Sequence, residues 1–236
     1  MSLPILGRAI GHTATISWPT VWEAARGRAD ADRSDQRLAW WSARLLEDAD
    51  VKLEVRGLER VERDRSYVVL SNHQSLYDIP VLFQALPLRL RMAAKAELFR
   101  IPIWGRAMAE SGFVRIDRAR GSEAREALLD AGRRLSAGGR SLWIAPEGTR
   151  GSGEGPLLPF KTGALNVAAA VGLPLLPVAI RGTAAILGRR QRRVQRGQRV
   201  TVSVLPPIEA VSSSRPLPEL AEELRELIQT ELARLD

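Results

Sequence analysis

The chain has 236 residues, 35 Lys and Arg against 27 Asp and Glu, a formal net charge of +8 and no cysteine. That length suffices for one sizeable core, while the absence of cysteine excludes disulfides and a thiol nucleophile and, with only two histidines far apart, argues against a structural zinc site. The positive charge is almost all arginine, since Lys52, Lys95 and Lys161 are the only lysines; such a surface attracts phosphates, whether of nucleic acid, anionic lipid, a coenzyme or an acidic carrier protein.

In residues 1–50, Leu3, Leu6 and Ile10 fall at helical spacing, Trp18 and Trp22 stand one turn apart, and Leu38, Trp41 and Leu45 repeat the pattern. Arg8, Arg26, Arg28, Arg33, Arg37 and Arg44 are spread among them, so the segment predicts one or two amphipathic helices. Two readings stay open: the helices pack on the core, or they lie in a membrane interface, the boundary that tryptophan favours and where four of the six tryptophans would sit. No stretch approaches the roughly 18 to 20 uncharged apolar residues of a membrane span, and the first twenty residues lack the sections of a secretory signal, so the expected place is the cytoplasm.

From residue 51 onward, strand-like runs at 51–56, 67–71, 91–94, 113–116, 141–145, 175–180 and 199–205 alternate with helix-like segments near 78–86, 103–108, 122–136 and 162–171. A last helix over 217–235 is introduced by Ser212-Ser213-Ser214 and two prolines, with Leu220, Leu224, Ile228 and Leu232 as its buried stripe. The pattern predicts an α/β domain, a mostly parallel or mixed sheet flanked by helices, over 51–236, preceded by the amphipathic helical segment 1–50.

Asn72-His73-Gln74-Ser75-Leu76-Tyr77-Asp78 follows directly on the strand-like Tyr67-Val68-Val69-Leu70. In open α/β sheets ligands bind beyond the carboxyl ends of strands, and that is where His73 would stand. A neutral imidazole takes a proton from an alcohol, and a carboxylate on its other nitrogen fixes the tautomer; Asp78 is the candidate carboxylate, with Asn72 bracing the turn. The plainer alternative makes His73 a satisfied loop residue and Asp78 a helix N-cap. A second strand, Ser141 to Ala145, runs into Pro146-Glu147-Gly148-Thr149-Arg150-Gly151. There Glu147 can accept hydrogen bonds from hydroxyls, Gly148 allows close backbone approach, and Arg150 offers a fork suited to a phosphate monoester.

Four blocks, in order, resemble the glycerolipid acyltransferase family typified by bacterial 1-acylglycerol-3-phosphate acyltransferases: Asn72-His73 to Asp78; Gly112 to Arg118, preceded by Lys95-Ala96-Glu97-Leu98 and Pro102 to Gly105; Pro146 to Arg150 with Phe160-Lys161-Thr162-Gly163; and Leu173 to Ile180. The resemblance covers about residues 40–205. It implies that His73 is the catalytic base and Asp78 its partner, that Glu147, Gly148, Thr149 and Arg150 with Arg118 line the acyl-acceptor site, that Lys95 is a further phosphate contact, and that Pro177 lies on the acyl-donor side. It implies transfer of a fatty acyl group from acyl-CoA or acyl carrier protein to the sn-2 hydroxyl of lysophosphatidic acid, with no cofactor or metal and monotopic or peripheral attachment to the cytoplasmic face of the inner membrane. Gly151 stands where many relatives have serine. Neither a cysteine nor a Gly-x-Ser-x-Gly elbow is present, so no acyl-enzyme is expected; backbone amides of the second loop are the expected oxyanion donors.

Three alternatives remain at this level: the same fold acting on another lysolipid such as lyso-ornithine lipid, a non-enzymatic lipid-binding protein, and a nucleic-acid-binding protein suggested by Arg181, Arg189, Arg190, Arg192, Arg193, Arg196 and Arg199. That arginine run lacks interleaved aromatics for base stacking, so phosphate attraction is all it carries; contact with anionic lipid or an acidic acyl donor fits it as well. Gly151-Ser152-Gly153-Glu154-Gly155 lacks the Gly-Lys-Ser/Thr ending of a phosphate-binding loop.

Overall fold

The computed structural model describes residues 3–117, 121–153, 155–209 and 216–235. Ser212 to Ser214, expected to introduce the last helix, lie outside them. The first fifty residues form two contacting helices, α1 (Leu3–Ala25) and α2 (Ala31–Asp48). Asp30 caps α2, its carboxylate accepting the Arg33 amide at 2.8 Å. Trp41 Nε1 of α2 donates to Thr13 Oγ1 of α1 at 3.0 Å, and His12 meets Asp48 at 3.0 Å.

The seven strands are β1 (Lys52–Arg56), β2 (Val68–Ser71), β3 (Leu90–Lys95), β4 (Val114–Ile116), β5 (Ser141–Ile144), β6 (Leu175–Arg181) and β7 (Arg199–Val204), all within a residue of the expected ends. They form a sheet of order β1-β7-β6-β2-β5-β3-β4 in which every neighbouring pair is parallel except β6 and β7. The helices α3 (Asp78–Ala85), α4 (Trp104–Glu110), α5 (Gly121–Ala137), α6 (Gly163–Val171) and α8 (Leu217–Arg234) fall within two residues of expectation; the five-residue α7 (Thr183–Leu187) was not expected.

Alternation along the strands builds two apolar layers. Val69, Trp143, Leu176 and Val178 face Val81 and Leu82 of α3 and Leu46 of α2, while Val68, Leu70, Leu142 and Leu175 face Ala131 of α5, Leu165 of α6 and Leu224 of α8. The carboxyl end of α2 therefore shares a core with the sheet. From β2 the chain leaves toward β3 through α3, and from β5 it leaves toward β6 through α6, so the two central parallel strands part company at their carboxyl ends. Such a divergence opens a crevice between the departing loops.

Candidate active site

Leu70 of β2 lies beside Ile144 of β5, so the loops after these strands emerge together at one rim of the sheet. Asn72 fixes the first loop to the neighbouring strand: its amide donates to Ile180 O at 2.9 Å and accepts the Ile180 N–H at 2.8 Å. The chain then folds back from α3. Asp78 Oδ2 is 2.7 Å from His73 Nδ1 and accepts the amides of Gln74 and Ser75 at 2.8 and 2.9 Å, and the Thr183 hydroxyl donates to Oδ1. All these partners precede the helix or come from α7, so Asp78 is not capping α3. Its side chain is fully buried, whereas that of His73 keeps 16% of its surface exposed.

A buried carboxylate surrounded by four donors stays in one orientation and holds the imidazole through Nδ1–H, leaving the lone pair on Nε2. Trp143 stands edge-on to the His73 ring, centroids 5.7 Å apart, and its own N–H donates to Ser71 Oγ at 3.0 Å. The ring is thus held by a charge on one side and an aromatic wall on another.

Glu147 lies at the head of the second loop with its carboxylate turned inward. Oε1 accepts the His73 amide at 2.8 Å and Oε2 the Leu158 amide at 3.2 Å; Gly151 N–H closes the circuit on His73 O at 2.7 Å. Burial pushes the Glu147 carboxyl above its usual range, against the pull of those two amides. Each oxygen accepts from a backbone amide, Oε1 from the His73 loop and Oε2 from the segment after the second loop, so the carboxylate ties these two stretches of chain together. Two amides of this loop are also engaged internally, Gly148 with Ala145 O and Gly151 with His73 O. Gly148 has a φ of +71°, and a Cβ there would stand 3.0 Å from Lys161 Nζ, so this turn accepts only glycine without strain beside that amine.

Of the other expected residues, Thr149, Arg150 and Lys95 lie along the same rim. Thr149 and Arg150 are half-buried on the second loop, and the Arg150 carbonyl accepts from Arg189 at 3.3 Å. Lys95 ends β3, exposed and 2.9 Å from Glu97. Arg118 lies outside the described residues. Pro177 is buried in β6 beside Leu70, with its carbonyl accepting the Leu205 amide at 3.0 Å; its missing N–H falls one residue short of where β6 begins to pair with β7.

Two cavities border the His73 loop. One, about 320 Å³, lies between His73, Glu147, Gly151, Arg181 and the end of α8 at Gln229 and Leu232. The other, about 200 Å³ and almost wholly apolar, lies between the α1–α2 pair and the sheet; Leu76 of the loop and Ile79 of α3 line it, with Ile16, Trp41, Met92 and Phe113.

A family model described as Acyltransferase matches residues 52–181. The chain belongs to the acyltransferase family. It is 32% identical to 1-acyl-sn-glycerol-3-phosphate acyltransferase alpha of Mus musculus over 88% of this chain and 72% of the relative, and 29% identical to 1-acyl-sn-glycerol-3-phosphate acyltransferase of Haemophilus influenzae over 84% and 82%. The crystal structure of the 1-acyl-sn-glycerophosphate (LPA) acyltransferase from Thermotoga maritima superposes with a TM-score of 0.74 at 22% identity, covering 96% of this chain and 97% of that one, which bears on the fold. The chain is accordingly an O-acyltransferase, and the two motif loops of this acyltransferase are the ones that the sheet brings to one rim.

Sequence reading missed Thr183 and Ser75. Thr183 reaches Asp78 from 105 positions away, and Ser75 ties its loop to α7 through its hydroxyl on Leu187 O at 2.8 Å. The available signal was Gly182, where φ is +96° and a Cβ would lie 2.2 Å from Arg199 O. Such a position marks a forced reversal directly after the fourth block.

Proposed function

We propose that this acyltransferase moves a fatty acyl group from acyl-CoA or acyl carrier protein to the sn-2 hydroxyl of lysophosphatidic acid, giving phosphatidic acid. The observation that carries the reading is the His73–Asp78 hydrogen bond in a loop that also walls an apolar cavity. His73 Nε2 takes the proton of the acceptor hydroxyl as its oxygen attacks the thioester carbonyl. The new C–O bond forms a tetrahedral oxyanion; its collapse breaks the C–S bond, and the proton on His73 passes to the departing sulfur. Asp78, buried and fully hydrogen-bonded, stabilises the transient imidazolium without itself accepting the proton. Arg150, with Arg118 and Lys95, is proposed to meet the phosphate, and the apolar cavity to take the acyl chain.

The protein is further proposed to work at a membrane surface. On α1 the outward positions Leu6, Ile10, Ala14, Trp18 and Trp22 form an exposed stripe one turn apart, while hydroxyl residues Ser17 and Thr20 face inward. Thr13 and Thr20 satisfy their hydroxyls on carbonyls of their own helix four residues back, at 2.7 and 2.8 Å. This is the reverse of a helix on a water-facing surface and fits one whose outer face meets lipid. Among the described residues no helix is long and apolar enough to cross a membrane.

The deciding experiment incubates the protein with palmitoyl-CoA and lysophosphatidic acid and identifies the product. His73→Ala is expected to lose roughly 10²- to 10⁴-fold in kcat with an unchanged circular dichroism spectrum and melting curve. A folded variant with near-wild-type turnover would remove His73 from the mechanism.

A further inference from the structure

The loop that follows α7 reaches the same rim as the His73 loop and carries a run of exposed arginines. We propose that residues 188–198, the loop between α7 and β7, dock the acidic face of an acyl carrier protein, so that the donor arrives as a protein-bound thioester. This rests on the acyl-transfer reading above and names the partner of that site.

The loop presents Arg189, Arg190, Arg192, Arg193 and Arg196, all exposed. No acidic residue occurs in the sequence from Gly155 to Ile208, and among the described residues no carboxylate lies within ion-pair distance of Arg190, Arg192 or Arg193. Five like charges in eight positions repel one another, and an opposing polyanion relieves that repulsion. The loop is nonetheless held in place. Gln195 N–H donates to Ile186 O at 2.8 Å, Gly197 N–H to Ala49 O at 3.0 Å, and Val194 turns into the core beside α3.

Its position ties it to chemistry. Gly188 pairs with Ser75 of the His73 loop in an antiparallel bridge, and Arg189 donates to the Arg150 carbonyl of the second loop. A partner held by Arg190, Arg192 and Arg193 therefore sits beside both catalytic loops. A coenzyme nucleotide calls for a concave site, yet these arginines line neither cavity at the His73 loop, and no aromatic side chain on the loop offers a face for a base. The loop exposes no large apolar side chain to insert into a bilayer, so charge is its only attraction and the vesicle probe separates a lipid surface from a protein one. A run of exposed arginines and glutamines with no carboxylate suits an acidic protein surface.

The test uses the full chain with Arg192→Glu/Arg193→Glu and three probes: palmitoyl-acyl carrier protein, palmitoyl-CoA, and vesicles of phosphatidylcholine with phosphatidylglycerol. The double variant is expected to raise KM for the carrier-bound donor about tenfold and to weaken carrier binding equally in a direct titration, with kcat/KM for palmitoyl-CoA and vesicle binding within twofold of wild type. Arg192→Lys/Arg193→Lys restores the carrier KM. Unchanged carrier affinity overturns the proposal, as does an equal loss with palmitoyl-CoA, which assigns the ridge to nucleotide phosphates, or a loss confined to vesicles, which assigns it to lipid. Arginine-dependent carrier binding by a wild-type protein that transfers no acyl group from either donor would support the docking site and defeat the acyl-transfer reading instead.

Discussion

Glu147 makes the clearest case for what burial does to a single residue at this site. Its carboxylate bridges the amides of His73 and Leu158, and desolvation raises its pKa. A carboxyl whose folded pKa lies above its unfolded one stabilises the fold fully below the unfolded value, about 4.3, and loses that contribution as pH rises through the raised folded value. Glu147→Gln cannot ionise and has no such slope. Melting temperatures of both proteins, measured upward from about pH 4.3, should show the advantage of wild type over Glu147→Gln shrinking as pH rises; a constant or growing advantage would mean that the carboxyl is held ionised. At this scale the His73–Asp78 pair was legible because five positions and a helix start suffice to bring the two together. Glu147 was legible as a site residue but not in its orientation, because the decision between a substrate hydroxyl and the His73 amide depends on how two strands align. Thr183 was illegible, since nothing local links it to Asp78.

Among the elements, both N-terminal helices were left open between core and membrane by the sequence, and a buried charge fixes α2 against the sheet. Arg91 of β3 is almost wholly buried and donates to the Ser111 carbonyl and to Asp35 of α2. Burial lowers its pKa, opposed by the Asp35 charge. Leu38, Leu45 and Leu46 complete the contact, with Leu46 in the cluster that holds Val69 and Val81. The heptad-like spacing showed an apolar face; it could not show that Asp35, one turn before Leu38, would meet an arginine from a strand 56 residues later. Removing one partner of a buried pair leaves the other charged and unsolvated, so Asp35→Ala is expected to cost about 3 kcal/mol. Urea denaturation measures it, and a change below about 1 kcal/mol, the range of surface pairs, would show that water reaches Arg91.

For the whole molecule, the two N-terminal helices differ in what they bury and what they expose. The inner one belongs to the core, and the outer one covers the apolar cavity with its hydroxyl-bearing face while turning Trp18 and Trp22 outward. An apolar repeat in sequence is the same whichever way it points, so the direction was readable only once α1 had been placed against α4. Arg26 lies over the Trp22 ring, its guanidinium carbon 3.2 Å from the centroid, which sets a cation beside an aromatic as at a lipid headgroup boundary. Both tryptophans are more than half exposed, so removing either from contact with lipid forfeits roughly 1.5 kcal/mol of apolar burial, about a tenfold drop in partitioning. Trp18→Ser/Trp22→Ser is therefore expected to release the protein from phosphatidylglycerol vesicles in a sedimentation assay. Its turnover on detergent-dispersed lysophosphatidic acid should stay within a fewfold of wild type, because the inner face of α1 and the His73 loop are untouched. Partitioning equal to wild type would mean that α1 does not meet the bilayer; turnover lost in detergent as well would mean that the outer stripe supports the cavity rather than the membrane.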